Sequence, residues 1–272
     1  MATPLLGLSN HSRQKIYSKG AFRALSLVSE ALDHYESGDP SLLKHIGRAT
    51  ELQLEVLRMR ILEAGFWFVD IPRTSSTYIK HNLSDHFGFP FGKTGSVYSS
   101  GGHNRVLAYS IFLPDHTPGF LAQEILGDQV WSSIQKFSVV RNPRDWCWSL
   151  WRYTVERHSL GFKVSSFNDF LNQFEIRLDE QILLRPPYPT SYMQSEYLTN
   201  LNESHPQIIV DHILRFEDRE SINAHLADLG VVNLMHHGSM SSRESRPQIS
   251  KKEDEKIQKL FEQDFNLFGY SL

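Results

Sequence analysis

Two stretches of this chain constrain its fold more than any others, because each is a short apolar run that ends in a polar turn and restarts as a helix. The first is Gly65-Phe66-Trp67-Phe68-Val69-Asp70-Ile71, which stops at Pro72. A run so apolar and aromatic, closed by proline, predicts a buried strand. Arg73-Thr74-Ser75-Ser76-Thr77 follows as a small polar loop, and Tyr78-Ile79-Lys80-His81-Asn82-Leu83 restarts with helical spacing. The second stretch is Lys136-Phe137-Ser138-Val139-Val140-Arg141, again a strand pattern. Asn142-Pro143 then opens a helix, with Asn as the cap and Pro in the first turn. That helix carries Trp146, Trp148, Leu150, Trp151 and Tyr153 on several faces, which predicts a largely buried element.

The rest of the chain extends this pattern. Leu121 to Leu126 reads as a short helix, and Gln207 to Glu217 supplies one or two further strands. A helix is expected around 220–229, and a last one over 251–264 that buries Ile257, Leu260, Phe261 and Phe265. Strands alternating with helices indicate an α/β fold with a mainly parallel central sheet. Residues 11–63 read differently, as two helices broken at Ser37-Gly38-Asp39-Pro40-Ser41. Their apolar stripes are Phe22, Leu25, Leu32 and Tyr35, then Leu52, Val56, Met59 and Leu62. The chain therefore divides into a helical N-terminal extension, 1–64, packed on a core domain, 65–272.

The polar loop at 73–77 suits an anion. Backbone N–H groups converge at the start of a helix, the helix N-terminus is partially positive, and Ser and Thr hydroxyls add donors. The same loop also suits an ordinary capped helix. Arg141 stands at the carboxyl end of a strand, where open α/β sheets bind ligands. Its guanidinium suits a phosphate, and Ser149 lies two turns into the helix that follows. Taken alone, that second unit reads first as a structural Arg–Asp ion pair.

Together, and in this order, the two units resemble the donor-binding motifs of sulfotransferases that use 3′-phosphoadenosine 5′-phosphosulfate (PAPS). The resemblance continues in His116-Thr117-Pro118-Gly119 with Glu124-Ile125-Leu126-Gly127 and Trp131. It also includes Val210-Asp211-His212-Ile213-Leu214-Arg215-Phe216-Glu217 and the closing Asp264-Phe265-Asn266-Leu267-Phe268-Gly269-Tyr270. These segments are similar to the carbohydrate-type branch (family 2), as a soluble bacterial-like member, and cover about residues 65–272. The resemblance implies a P-loop-like three-layer fold and transfer of a sulfuryl group from PAPS to an acceptor hydroxyl, with no metal. By motif position, Arg73, Thr74, Ser75, Ser76 and Thr77 would hold the 5′-phosphosulfate, and Arg73 would act on the leaving group. Arg141 and Ser149 would hold the 3′-phosphate. Arg243 or Arg246 would close over the nucleotide.

The resemblance makes His116 the expected general base, because it matches a His just ahead of the short helix in that branch, and an imidazole suits proton removal near neutral pH. His103 and the pair His236-His237 are its rivals among 13 histidines. Two departures stand out: Arg73 replaces the lysine usual in that loop, and Ser75-Ser76 replace small glycine-type residues. Lys80 would substitute for the missing lysine if its helix turned it inward; on an outer face it would be a solvated lysine.

Composition excludes several classes. Lys+Arg is 28 against Asp+Glu 31, a net charge of −3, so a general nucleic-acid binder is disfavoured. The single cysteine rules out an intramolecular disulfide, which suits a reducing compartment. The first ten residues lack a signal-peptide pattern, and no run approaches the ~18 apolar residues of a membrane span. A cytoplasmic protein without membrane association is expected, and the sequons at Asn82 and Asn202 read as chance. Gly88-Phe89-Pro90-Phe91-Gly92-Lys93-Thr94 has the wrong glycine spacing for a nucleotide-binding P-loop and follows no strand, which weakens a kinase reading. A zinc site lacks ligand spacing. A non-catalytic nucleotide-binding protein remains the other alternative. The expected acceptor is a small metabolite or natural product, with a sugar as the alternative. Its walls would be the extension and the segments 87–112 and 185–197. The oligomeric state is open, a homodimer included.

Overall fold

The computed structural model describes residues 54–55, 57–87, 116–157, 164–179, 192–200, 206–232, 234 and 249–272. Three strands form one sheet in the order β1 (Phe66–Val69), β2 (Gln135–Val140), β3 (His212–Arg215). Both pairings are parallel, with Val69 opposite Ser138 and Val140 opposite Arg215. A parallel pair requires a crossover, and each strand here is followed by a helix: α1 (Ser76–Phe87) after β1, and α4 (Pro143–Arg157) after β2. α7 (Arg219–Asp228) follows β3. The helices α2 (Gly119–Leu126) and α3 (Asp128–Ser133) lead into β2. α5 (Phe167–Asp179) and α6 (Gln194–Leu198) precede β3, and α8 (Lys251–Leu260) and α9 (Glu262–Phe268) end the described chain. The α/β architecture and the parallel sheet are therefore as the sequence indicates.

The buried side chains form two clusters. One joins Phe66, Phe68, Phe137 and Val139 of the sheet to Tyr78, Ile79 and Leu83 of α1 and to Ile222 and Leu226 of α7. The other joins Val69 and Val140 to α2, α4, α5, α8 and α9 through residues such as Leu121, Trp146, Phe170, Ile257 and Phe265. Successive strand residues point to opposite faces, so the alternation of Phe68 with Val69, and of Val139 with Val140, feeds the two clusters in turn. The lone Cys147 lies in the larger cluster, fully buried, and burial pushes its thiol far above the ordinary range.

Several local expectations change. The extension itself, 1–53, lies outside the described residues, but the helical stretch over 57–64 buries Leu57 and Ile61 in the larger cluster, with Leu54 beside them. Met59 and Leu62, expected on the buried stripe, are 53% and 45% exposed. Two apolar stripes lie on this short helix, and the core selects the other one. The last helix is broken: Phe261 caps α8 and starts α9, so Phe261 and Phe265 are buried from separate helices, while Leu260 packs at the edge. Asn142 accepts from Arg144 N at 3.0 Å, as a cap should.

The chain's final segment is tied to the turn between β2 and α4. Arg144 Nη1 donates to Ser271 O at 2.8 Å, and Tyr270 OH donates to Glu217 Oε2 at 2.8 Å. Glu217 Oε1 in turn accepts from Asn142 N at 2.8 Å. Among the described residues, no helix is long and apolar enough to cross a membrane.

Candidate functional site

Because the three strands run parallel, their carboxyl ends and the N-termini of α1, α4 and α7 all meet at one edge of the sheet. The turn after β1 is pinned from below. Trp146 Nε1 donates to Pro72 O at 2.7 Å, and Ser138 Oγ donates to Val69 O at 2.7 Å. Thr74 is fully buried, and its hydroxyl donates to Ile71 O at 2.8 Å, so it closes the turn. Arg73 and Ser75 adopt left-handed backbone, φ 65° and 74°. Glycine takes that conformation without cost, whereas other residues are strained there. This chain holds the turn with non-glycine residues at both positions.

The loop leaves its donors free. No acceptor among the described residues takes the N–H groups of Ser75, Ser76 and Thr77, and the hydroxyls of the same three residues make no hydrogen bond among them. Ser76 is buried, Ser75 half-buried and Thr77 exposed. With the start of the twelve-residue α1 behind it, this cluster of donors attracts an anion.

The two sequence units meet in space. Arg73 Nε donates to Ser149 Oγ at 3.0 Å, and Arg141 Nη1 reaches Arg73 O at 3.4 Å. Each guanidinium rests against a ring: Arg73 5.0 Å from the centre of Tyr153, Arg141 4.3 Å from that of Phe216. The side chain of Arg73 therefore turns toward Ser149 and Tyr153, while Arg141 reaches its backbone carbonyl. Behind them, Gln194 clasps the backbone of Arg141: its Oε1 accepts from Arg141 N and its Nε2 donates to Arg141 O, both at 2.8 Å. Asp264 then accepts from Gln194 N and Ser195 N at 3.1 and 2.8 Å. Burial raises the Asp264 carboxyl to about 6 against the pull of those N–H groups.

A second group lies beside the loop. His116 Nδ1 is 3.1 Å from Asp70 Oδ2, and Lys80 Nζ donates to the same oxygen at 2.6 Å. Lys80 is thus turned inward rather than solvated. Burial alone would raise the Asp70 carboxyl, but the positive charges of His116 and Lys80 overcome it and hold the group well below the usual carboxylate range. His116 itself has left-handed backbone, φ 63°. The turn that carries it leads into Gly119, where a Cβ would lie 2.9 Å from Tyr197 O, so only glycine lets α2 dock this closely on α6.

No protein-family model matches the chain, and no curated protein or solved structure matches it either.

Arg73, Thr74, Ser75, Ser76, Thr77, Arg141, Ser149 and His116 all lie along this edge. Arg243, Arg246, His103, His236, His237, the 88–94 segment and the 185–191 part of the second acceptor wall lie outside the described residues. Sequence reasoning missed Asp70, Gln194 and Asp264. An aspartate interrupting an apolar strand just before a proline was the available signal for Asp70; the other two carry none without the fold. Among the described residues, no group of three or more His, Cys, Asp or Glu could hold a metal ion.

Proposed function

We propose that this chain is a PAPS-dependent O-sulfotransferase with an α/β fold of the P-loop-like three-layer kind. It acts on a hydroxyl of a small metabolite, a natural product or a sugar. The observation that carries the reading is the meeting of Arg73, Arg141 and Ser149 beside a loop whose N–H donors are free. Two anion sites side by side, one of loop donors and one of guanidinium groups, suit a nucleotide with phosphates at two positions. A plain mononucleotide offers a phosphate to only one of these two sites.

The donor, when bound, supplies the sulfuryl group and a phosphate leaving group. The N–H groups of Ser75 to Thr77 would bear the charge that develops on that phosphate, as preorganised donors do. Arg141 and Ser149 would hold the 3′-phosphate, and the direction of Arg73 supports a role there too rather than on the leaving group. The acceptor hydroxyl would lose its proton to Nε2 of His116 as its oxygen bonds to sulfur and the sulfur–phosphate oxygen bond breaks. Neither the cradle nor the base depends on a metal in this scheme.

The test is a thermal-shift or calorimetric titration of the chain with adenosine 3′,5′-bisphosphate, AMP and ATP. A ligand at a hundred times its Kd stabilises by about 2.7 kcal/mol, which moves Tm measurably. Preferential stabilisation by the bisphosphate is the expected result. Preference for ATP, or no binding by any of the three, would sink the proposal.

A further inference from the structure

We infer that Asp70 is the positioning residue of the base: it fixes the His116 ring in one tautomer, and Lys80 holds the carboxylate in place to do so. The inference rests on the reading of His116 as base but is argued from the free protein. His116 Nδ1 faces two oxygens, Asp70 Oδ2 at 3.1 Å and Asp70 O at 3.4 Å. Both are acceptors only, since the carboxyl is ionised and the second oxygen is a carbonyl. A ring with its proton on Nε2 would point the Nδ1 lone pair at both oxygens, which is repulsive. The ring with its proton on Nδ1 donates to them instead. Its Nε2 lone pair is then exposed for proton abstraction, and no described residue takes that nitrogen.

The carboxylate is itself immobilised. Asp70 is 7% exposed, and Lys80 Nζ, in a side chain 14% exposed, sits 2.6 Å from the oxygen that His116 uses. The other oxygen, Oδ1, is buried and has no hydrogen-bond partner among the described residues. A buried acceptor left unmet is costly in the resting protein. It becomes useful when His116 takes a proton, because two full cations then share one carboxylate and a second oxygen is at hand to divide them. The same charge that orients the neutral ring therefore also favours the imidazolium formed during transfer, as in other His–carboxylate pairs.

The experiment is side-chain 15N NMR of histidine-labelled protein at a pH where His116 is neutral, its signals identified by their loss in His116→Gln. The expected result is a proton on Nδ1 in the wild type, a shift toward the Nε2–H form in Asp70→Asn, and a smaller shift in the same direction in Lys80→Met. A wild-type ring protonated on Nε2 overturns the inference without any variant, so it stays testable even if Asp70→Asn fails to fold. A folded Asp70→Asn with an unchanged tautomer overturns it too, and an unchanged tautomer in a folded Lys80→Met overturns the role given to Lys80. The nucleotide titration on the same samples separates the two ideas: loss of the bisphosphate preference removes the sulfotransferase reading and leaves the tautomer result standing. With transfer activity in hand, Asp70→Asn is expected to lower kcat by about ten- to a hundredfold, the usual loss when an orienting partner of a histidine is removed, with nucleotide affinity nearly unchanged.

Discussion

Arg73 and Arg141 are held before any ligand arrives, each against an aromatic ring and each bonded to the other unit of the site. A guanidinium stacked in this way loses little freedom on binding, so its hydrogen bonds contribute nearly in full. Arg141→Ala should weaken adenosine 3′,5′-bisphosphate by about 1.5–3 kcal/mol, the range for a charge-assisted hydrogen bond, while AMP changes little. Calorimetric titration of both nucleotides checks this, and equal losses would remove the 3′-phosphate role. Arg141 stood out in the sequence through its place at a strand's carboxyl end and its order after the first loop, since alone a cation there reads as an ion-pair partner. Its meeting with Arg73 was not legible, because that depends on the left-handed backbone at residue 73, which in a non-glycine residue only the folded turn reveals. Lys80 was ambiguous for a related reason: helical spacing says that it lies on one face of α1, but not which face the protein buries.

At the scale of elements, the five-residue α6 matters more than its length suggests. It is clasped to Arg141 through Gln194 and capped by Asp264 of α9. Its sequence gave no periodic signal, and its stability comes from those tertiary bonds, so no sequence pattern announces it. The Asp264 carboxyl makes this connection sensitive to pH. The native state keeps that proton up to about pH 6, whereas the unfolded chain releases it near 3.8. Between those values the folded state binds more protons, so stability falls as pH rises, by up to about 3 kcal/mol from this one group. Asp70 runs the other way: its depressed carboxyl stabilises the fold above pH 3.8 and that contribution is lost only in stronger acid. Urea unfolding at about pH 4.5 and pH 7 should therefore show a downward slope that Asp264→Asn abolishes. A variant that retained the wild-type slope would assign it to another group.

At the scale of the molecule, the parallel sheet was the most legible feature, because a strand followed by a capped helix recurs and only a few topologies accommodate that repeat. The choice of buried face was less legible where a helix offered two apolar stripes, as at Met59 and Leu62. Trp146 shows how closely site and core are joined. Its ring meets Phe174 and Phe261 edge-on at 6.2 and 5.7 Å, and its Nε1 holds the loop at Pro72. Trp146→Phe keeps an aromatic in the core but leaves Pro72 O without that donor, which should cost about 1–3 kcal/mol in denaturant unfolding. Bisphosphate binding should weaken as well, because the loop loses its anchor. Unchanged affinity in a destabilised variant would show that the loop keeps its shape without the tie.

The single cysteine of the sequence lies sealed in the larger cluster, with its thiol held in the unreactive protonated form. In labelling terms the surface of this protein is blank. A cysteine introduced at an open position such as Ile176, 62% exposed on α5, would be the one accessible thiol in the molecule. A fluorophore or spin label placed there would go on at a single site without first removing a native residue, so nucleotide binding and unfolding could be followed on a protein whose core is untouched.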